Sequence, residues 1–568
     1  MKFDRPALRI LIIGGYGSFG ARLVGLLKDD ARLSLIVAGR DLRKAEQFCA
    51  SLKGVAAMLT PQRFVRGRDG EAHLKELAPD LVIDASGPFQ AYGKEAGSDP
   101  YQLPRAAIAC GINYLDLADD AAFVEGIAAL DAIARKAQLF VLSGLSTCPA
   151  LTSAIVRVLA SGFARIDEVA GGIAPSPFVD MGRNVLDAIA SYAGKPVVLW
   201  RDGKKASAPA LLSHRRYAIA PPGVVPMKPM RFSLVEVPDL RLMPQVGPSL
   251  QRVWFGAAIR PRFQHAGIVA LGRLVRAGIL RSLCTLVPLM NRVQRHMRWG
   301  EHRGGMIVEA TGSDAHGAEL VRSFHLLAEG DTGPFVPVVA AAAMIGRVCD
   351  AKPPPAGARA AWADLQLDDV MPQLSRLKIR TGTRMTLPPD TPLYQRILGD
   401  AWAARPPEWR AMHDVRTTMT ASGKANVQRG KNPLARLVAF VMRFPPARAL
   451  VDVEVRFDVK NGVEKWTRNF GGRKFSSTQE EGTGARSHLV IERFGPLAFS
   501  MALETQGSRV ALVQQGWRAF GVPMPRFLGP RVTAHEDVKA GRFVFFVRIT
   551  HPVCGLIVQY DGWLKPDT

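Results

Sequence analysis

Residues 8–13 form an apolar run interrupted only by Arg9, a glycine-rich turn follows, and leucines then recur at 23, 26 and 27. That order predicts a strand, a tight turn and a helix with one buried face. Further short apolar runs at 35–38, 81–84, 114–117 and 139–142 alternate with helical segments such as 106–110. Such alternation predicts an α/β fold, a Rossmann-type doubly wound parallel sheet. Beyond it the pattern becomes mixed. A helix is predicted over 183–194, strands over 196–200, 306–310 and 322–329, and a small-residue helix over 338–349, with a proline-rich run at 352–357 loosening the chain before 365–371. From about residue 387 the texture is one of short strands: 451–459, 463–470, 489–494, 501–505, 543–549 and 556–560. Asn461-Gly462 between two alternating runs predicts a tight hairpin. The expected division is therefore residues 1–150 as a nucleotide domain, 151–384 as a mixed α/β substrate domain and 385–568 as a β-rich domain.

The first turn carries candidate chemistry. Gly15, Gly17 and Gly20 fit GxGxxG, with Ser18 and Phe19 between the last two. One glycine permits the turn, one lets the backbone approach a pyrophosphate, and one seats the helix on the strand. Where an acid would grip the ribose hydroxyl of NAD, twenty residues after Gly20, this chain has Arg40. A guanidinium there pairs with a 2′-phosphate and favours NADP(H). The other reading is a solvated Arg40 at the start of the next helix, with Asp41 as its N-cap. Ser86, Gly87 and Pro88 form a small-residue turn after the 81–84 strand, where a ribose or nicotinamide approaches the backbone.

Taken in order, Gly14-Gly15-Tyr16-Gly17-Ser18-Phe19-Gly20, Ala38-Gly39-Arg40, the segment from Asp84 to Phe89 with Tyr92-Gly93, and Ala109-Cys110-Gly111 with the segment from Asn113 to Leu117 form one set. The set resembles the NADP-binding domain of the saccharopine dehydrogenase (saccharopine reductase-like) family over about residues 7–150. The resemblance implies a Rossmann domain, a nicotinamide cofactor, and oxidation or reduction at a carbon next to nitrogen or oxygen. Near the other end, Trp466-Thr467-Arg468-Asn469-Phe470, Phe494-Gly495-Pro496, and the segment from His551 to Gly555 with that from Tyr560 to Leu564 resemble an uncharacterised domain appended to such proteins. That second likeness supplies no activity.

No metalloprotease or serine-hydrolase signature occurs, so the chemistry falls to the cofactor, with the protein supplying position and a proton. Tyr114 and Asp116 are the candidate catalytic residues, at the strand end expected nearest the nicotinamide, and a structural role for both is equally open. Tyr92, Lys94 and Cys148 are further candidates, and Arg468, His551 and Trp563 are candidates for a second pocket or for structural roles. No metal site is expected. The six cysteines are scattered without metal spacing and read as reduced thiols.

Charge changes this picture. Lys plus Arg exceed Asp plus Glu by 74 to 50, a net +24, and residues 201–300 hold 17 basic against 3 acidic residues. Between Asp239 and Glu301 no acid occurs at all. Within that stretch 268–290 is strongly apolar, punctuated by Arg273, Arg276 and Arg281 and followed by Arg292, Arg295, Arg298 and Trp299. Two readings are open: an interfacial membrane helix that Pro288 breaks or kinks, and a helix on the protein's own core with a solvated arginine face. The partners expected are a small molecule of lipid-like character, an anionic membrane surface reached through residues 241–298, and a second copy of the chain, with no nucleic acid. No signal peptide or membrane-spanning run is expected, which implies a cytoplasmic protein peripheral to the inner membrane face. The reading left beside an oxidoreductase is a non-catalytic NADP-binding protein that docks on membranes or a partner.

Overall fold

A computed structural model describes residues 7–67, 70–93, 99–180 and 182–567. The chain divides into two compact units, one of residues up to Tyr217 together with Met230–Arg380, the other of Ala218–Pro229 together with Thr381–Thr568.

The first unit contains the doubly wound sheet. Its strands β1 (Leu8–Ile13), β2 (Leu33–Gly39), β3 (Met58–Arg63), β4 (Leu81–Asp84), β5 (Asn113–Asp116) and β6 (Phe140–Ser143) are all parallel, in the order β6-β5-β4-β1-β2-β3. Every residue of β2 and β4 is buried, because helices cover both faces and an all-parallel sheet has no wet side. The edge strand β3 carries Pro61, which an edge tolerates because one side of its backbone donates to no neighbour. The opposite edge departs from expectation. Gly357–Ala360, directly after the proline-rich run, is a seventh strand paired in parallel with β6. The switch in strand order lies between β1 and β4, so the crevice at their carboxyl ends is where such a sheet binds ligands.

A second, mixed sheet follows, centred on Arg165–Ala174, which pairs in parallel with Arg252–Ala257 and antiparallel with Arg303–Ser313. The helix predicted over 183–194 spans Arg183–Tyr192, and the small-residue helix spans Val336–Cys349. The apolar run 268–290 is not one helix. It divides between Arg262–Arg276 and Val287–His296, parted at Gly278, whose φ of +75° no helix accommodates. Pro288 breaks nothing, because it sits in the first turn of the second helix, where a missing N–H is no loss. Among the described residues no helix is long and apolar enough to cross a membrane.

The second unit is a closed antiparallel barrel. Ten strands close the ring, including 418–429, 473–481, 509–519 and 531–539, none of which the sequence pattern singles out, and an eleventh, Val522–Met524, pairs with Arg509–Ala519 alone. Closure comes from Leu497–Gln506 pairing with Arg509–Ala519, which leaves no open edge around the ring. Asn461 and Gly462 take φ of 52° and 74° between Lys460 and Val463, the tight hairpin their sequence predicts. The helices Leu393–Leu398 and Pro407–His413 close one end. There Glu536, buried, accepts hydrogen bonds from Trp409 Nε1 at 3.0 Å and pairs with His413 Nε2 at 2.9 Å.

Candidate functional site

The glycine turn joins β1 to α1 (Gly20–Leu27). A side chain at Gly20 would bring its Cβ within 2.2 Å of the Gly14 carbonyl oxygen, and one at Gly15 would meet Val37 at 2.9 Å. At Gly17 a Cβ would stand 3.0 Å from the same Gly14 oxygen, again closer than ordinary contact. This is a glycine-lined cradle at the amino end of a helix, and it fits a pyrophosphate. Arg22 secures it by donating to the Ser18 carbonyl oxygen.

Gly39 lies so close to the Tyr16 ring that a Cβ would stand 2.5 Å from it, and the Tyr16 hydroxyl accepts from the Asp41 amide at 2.9 Å. Asp41 is the N-cap of the next helix, accepting from the Lys44 amide at 3.3 Å. Arg40, exposed between them, stands at the carboxyl end of β2. Across the switch point Asp84 is fully buried and accepts from Ser86 N at 3.0 Å and Ser86 Oγ at 2.5 Å. Ser86 Oγ also lies 2.9 Å from the Tyr92 hydroxyl, and the Arg66 guanidinium covers the Tyr92 ring at 3.4 Å. The Ser86 hydroxyl is thus engaged with Asp84 and Tyr92, and it is the backbone at Ala85 and Ser86 that approaches the glycine turn.

Beside this crevice, within the same unit, opens a cavity of about 330 Å³. Ser18, Phe19, Gly87 and Pro88 form its nucleotide side, and Ile173, Ile189, Met306 and Leu326 are among its apolar walls. Its polar groups are few. Asp119 lines it with an exposed side chain that accepts a hydrogen bond from Gln90 Nε2 at 3.0 Å, and desolvation raises its pKa against the lowering effect of that bond. Tyr192 and Glu236 also line it, their pKa values raised first by burial and then by neighbouring carboxylates. Cys148 faces the same space, its thiol pushed well up by burial and by Asp239.

Tyr114 and Asp116 are placed elsewhere. Tyr114 belongs to the core beneath the sheet, with no hydrogen bond to its hydroxyl among the described residues. Asp116 is fully buried, and its Oδ1 accepts from Gly144 N at 2.8 Å, Ser143 Oγ at 2.9 Å and Ala118 N at 3.0 Å. It ties the end of β5 to the end of β6, and neither residue lines the cavity. Ser18, Phe19, Gly87 and Pro88 line the cavity, Gly15, Gly17 and Gly20 form the turn beside it, Arg40 and Ser86 do not line it, and Lys94 lies outside the described residues. Among the second-pocket candidates, Arg468 lines a cavity inside the barrel. His551 is the last residue of the strand Arg542–His551, and Trp563 is on the outer wall under Arg542, because strand alternation turns Leu564 inward instead. Asp119, Gln90, Tyr192 and Glu236 carry no motif, and only the fold brings them together.

Residues 10–142 match the family described as the saccharopine dehydrogenase NADP binding domain. The chain carries a saccharopine dehydrogenase NADP-binding domain. Residues 406–564 match a domain of unknown function (DUF4166). No curated protein matches the chain. Among solved structures, the apo saccharopine dehydrogenase (L-Glu forming) of Saccharomyces cerevisiae is similar at 14% identity, over 67% of this chain and 100% of that one, with a TM-score of 0.49. The WlbA (WbpB) dehydrogenase of Thermus thermophilus, solved with NAD and alpha-ketoglutarate, is similar at 14% identity over 64% and 92% of the two chains, with a TM-score of 0.28. A myo-inositol dehydrogenase from Corynebacterium glutamicum follows at 11%, over 61% and 89%, with a TM-score of 0.26. With the saccharopine dehydrogenase NADP-binding domain at its head, the chain has an NAD(P)-binding, dehydrogenase-like oxidoreductase fold.

Asp116 yields a stability prediction. Burial pushes its pKa up to about 7, above the unfolded value near 3.8, so the folded state holds the proton more tightly. By linkage the protein loses stability as pH rises from about 4 to about 7, and the loss levels off above that. Asp116→Asn, which cannot titrate, is expected to remove that share of the slope in urea midpoints measured across this range.

Proposed function

We propose that the protein is an NADP(H)-dependent oxidoreductase that reduces a hydrophobic, lipid-like molecule in the cavity beside the glycine turn. The observation that carries the reading is the juxtaposition of a glycine-lined nucleotide cradle with a largely apolar cavity lined by a few acids. The cofactor, when bound, supplies hydride transfer. The chain's own groups hold the dinucleotide at Gly15, Gly17 and Gly20, exclude water with apolar walls, and provide a proton. Arg40 is the residue assigned to the 2′-phosphate, and Asp119 is the proton donor, oriented by Gln90, with desolvation raising its pKa.

Arg40→Ala is expected to weaken NADPH binding by about tenfold to a hundredfold, the worth of one charge-assisted phosphate contact, and to leave NADH binding unchanged. Fluorescence titration of the reduced cofactors measures both, and equal losses for the two would remove Arg40 from the site.

Asp119→Asn is expected to lower kcat by about a hundredfold or more with NADPH affinity retained. Its pH–rate profile should also lose the alkaline limb, along which the unsubstituted enzyme slows as Asp119 gives up its proton. A screen of apolar carbonyl compounds that follows NADPH consumption supplies the assay. NADPH binding with no turnover across that screen would favour a non-catalytic cofactor-binding protein.

An anionic membrane surface is proposed as the setting. Ile279, Leu289 and Trp299 are exposed beside Arg276, Arg281 and Arg292, which have no ion pair among the described residues. Other arginines of the acid-free stretch serve the fold. Arg241, Arg252 and Arg295 pair with Glu125, Glu168 and Asp180, and Arg298 donates to the Phe178 carbonyl oxygen. Ile279→Asp with Trp299→Asp is expected to reduce flotation with phosphatidylglycerol vesicles by roughly tenfold. Unchanged flotation would show that this surface does not meet lipid.

A further inference from the structure

The barrel is polarised along its axis. Because its strands alternate in direction, the connections at 430–447, 471–472, 495–496, 520–530 and 552–554 gather at one end, and those at 461–462, 482–489, 507–508 and 540–541 at the other. At the first end the connections push large apolar side chains into solvent. On the helix Pro433–Val441, Ala435 and Ala439 are buried and Val438 lines the barrel cavity, so the opposite face presents Leu437, Phe440 and Val441, each 57–68% exposed. From the neighbouring connections Phe520, Phe527 and Val553 stand out at 83%, 69% and 74% exposure. None of the connections at the opposite end exposes a large apolar side chain.

Charge follows the same axis. Residues 429–448 and 517–531, which carry most of these apolar positions, hold eight Lys and Arg and no Asp or Glu. The connections at the other end with their flanks, 458–465, 478–489, 503–509 and 536–542, hold seven acids and six bases, close to neutral. The composition of the end, not the net charge of the whole chain, is what distinguishes it.

We propose that this end of the barrel docks on a lipid bilayer carrying anionic headgroups. Phenylalanine, leucine and valine side chains on a short helix and on separate loop tips suit insertion among acyl chains, and the arginines that flank them meet headgroup phosphates. A protein partner would be better met by a continuous surface, whereas these apolar groups occupy separate projections, with Gly521 and Gly555 in left-handed conformations at their turns. The proposal is independent of the oxidoreductase reading and of the surface around Ile279 and Trp299.

Co-sedimentation of the full chain with phosphatidylcholine vesicles, with and without phosphatidylglycerol, tests it. Binding is expected only to the anionic vesicles. Phe440→Asp with Phe527→Asp should weaken it by roughly tenfold or more, and Arg436→Glu with Arg526→Glu should weaken it and reduce its sensitivity to salt. Both pairs are surface changes, so the melting temperature should stay within a few degrees, which separates loss of docking from loss of fold. The pair Ile279→Asp with Trp299→Asp, made in parallel, should leave the effect of the barrel substitutions in place. Equal binding to neutral vesicles, or anionic-vesicle binding that both barrel pairs leave unchanged, would overturn the proposal. So would binding that only the Ile279 and Trp299 pair abolishes, or an absence of vesicle binding with a protein partner captured through Phe440 and Phe527.

Discussion

The first unit depends on a contact that requires a hydrogen where every other residue has a carbon. Gly20 sits against the Gly14 carbonyl so closely that a Cβ would come within 2.2 Å of the oxygen, and only glycine lets α1 begin there. From that contact follow the placement of Ser18 and Phe19 at the cavity's edge and of Arg22 beneath the turn. A second contact of the same kind, Gly39 against the Tyr16 ring, holds the end of β2 to the turn and sets Arg40 at the rim. Both are repulsive constraints. They contribute little attraction, yet they decide which backbone path is open and therefore where a phosphate can lie.

Much of the first sheet was legible for that reason and one other. Strands buried on both faces must be apolar throughout, so 8–13, 35–38 and 81–84 stand out as runs, and the glycines between them are obligatory. The edges were less visible. Met58–Arg63 includes Pro61 and Gln62, and Gly357–Ala360 is short, because an edge strand needs burial on fewer sides. The barrel was legible only in part, since strands such as Arg531–Lys539 alternate charged and apolar residues and resemble loops until closure buries one face. The candidate proton donor was not legible at all. Asp119, Tyr192 and Glu236 are scattered along the chain and meet only through the packing of two sheets, whereas Tyr114 and Asp116, adjacent to a motif, point into the core.

The charge surplus teaches a related lesson. A count of arginines without acids nearby in sequence says nothing about acids nearby in space. Arg241, Arg252 and Arg295 each find a carboxylate from outside the stretch. What remains unneutralised is therefore smaller than the count, and its position relative to exposed apolar groups matters more than its size. On that criterion the barrel end, whose basic residues and bare phenylalanines share the same connections, is marked as strongly as the middle of the chain.

The two cavities differ in what their polar groups are free to do. Inside the barrel, about 130 Å³ is lined mainly by aromatic and aliphatic side chains, and its charges engage one another. Arg468 pairs with Glu492 at 3.2 Å and donates to Ser477 at 2.8 Å, and Glu536 is held by Trp409 and His413. A proton taken from or given to any of these would leave a partner unsatisfied in an apolar enclosure, at a cost of several kcal/mol. In the first unit the balance is reversed. Asp119 accepts from the neutral Gln90 amide and has no ion pair among the described residues, so desolvation raises its pKa without a compensating cation. A carboxyl in that position holds a proton that the surrounding structure does not need, which is the condition for giving it to something else.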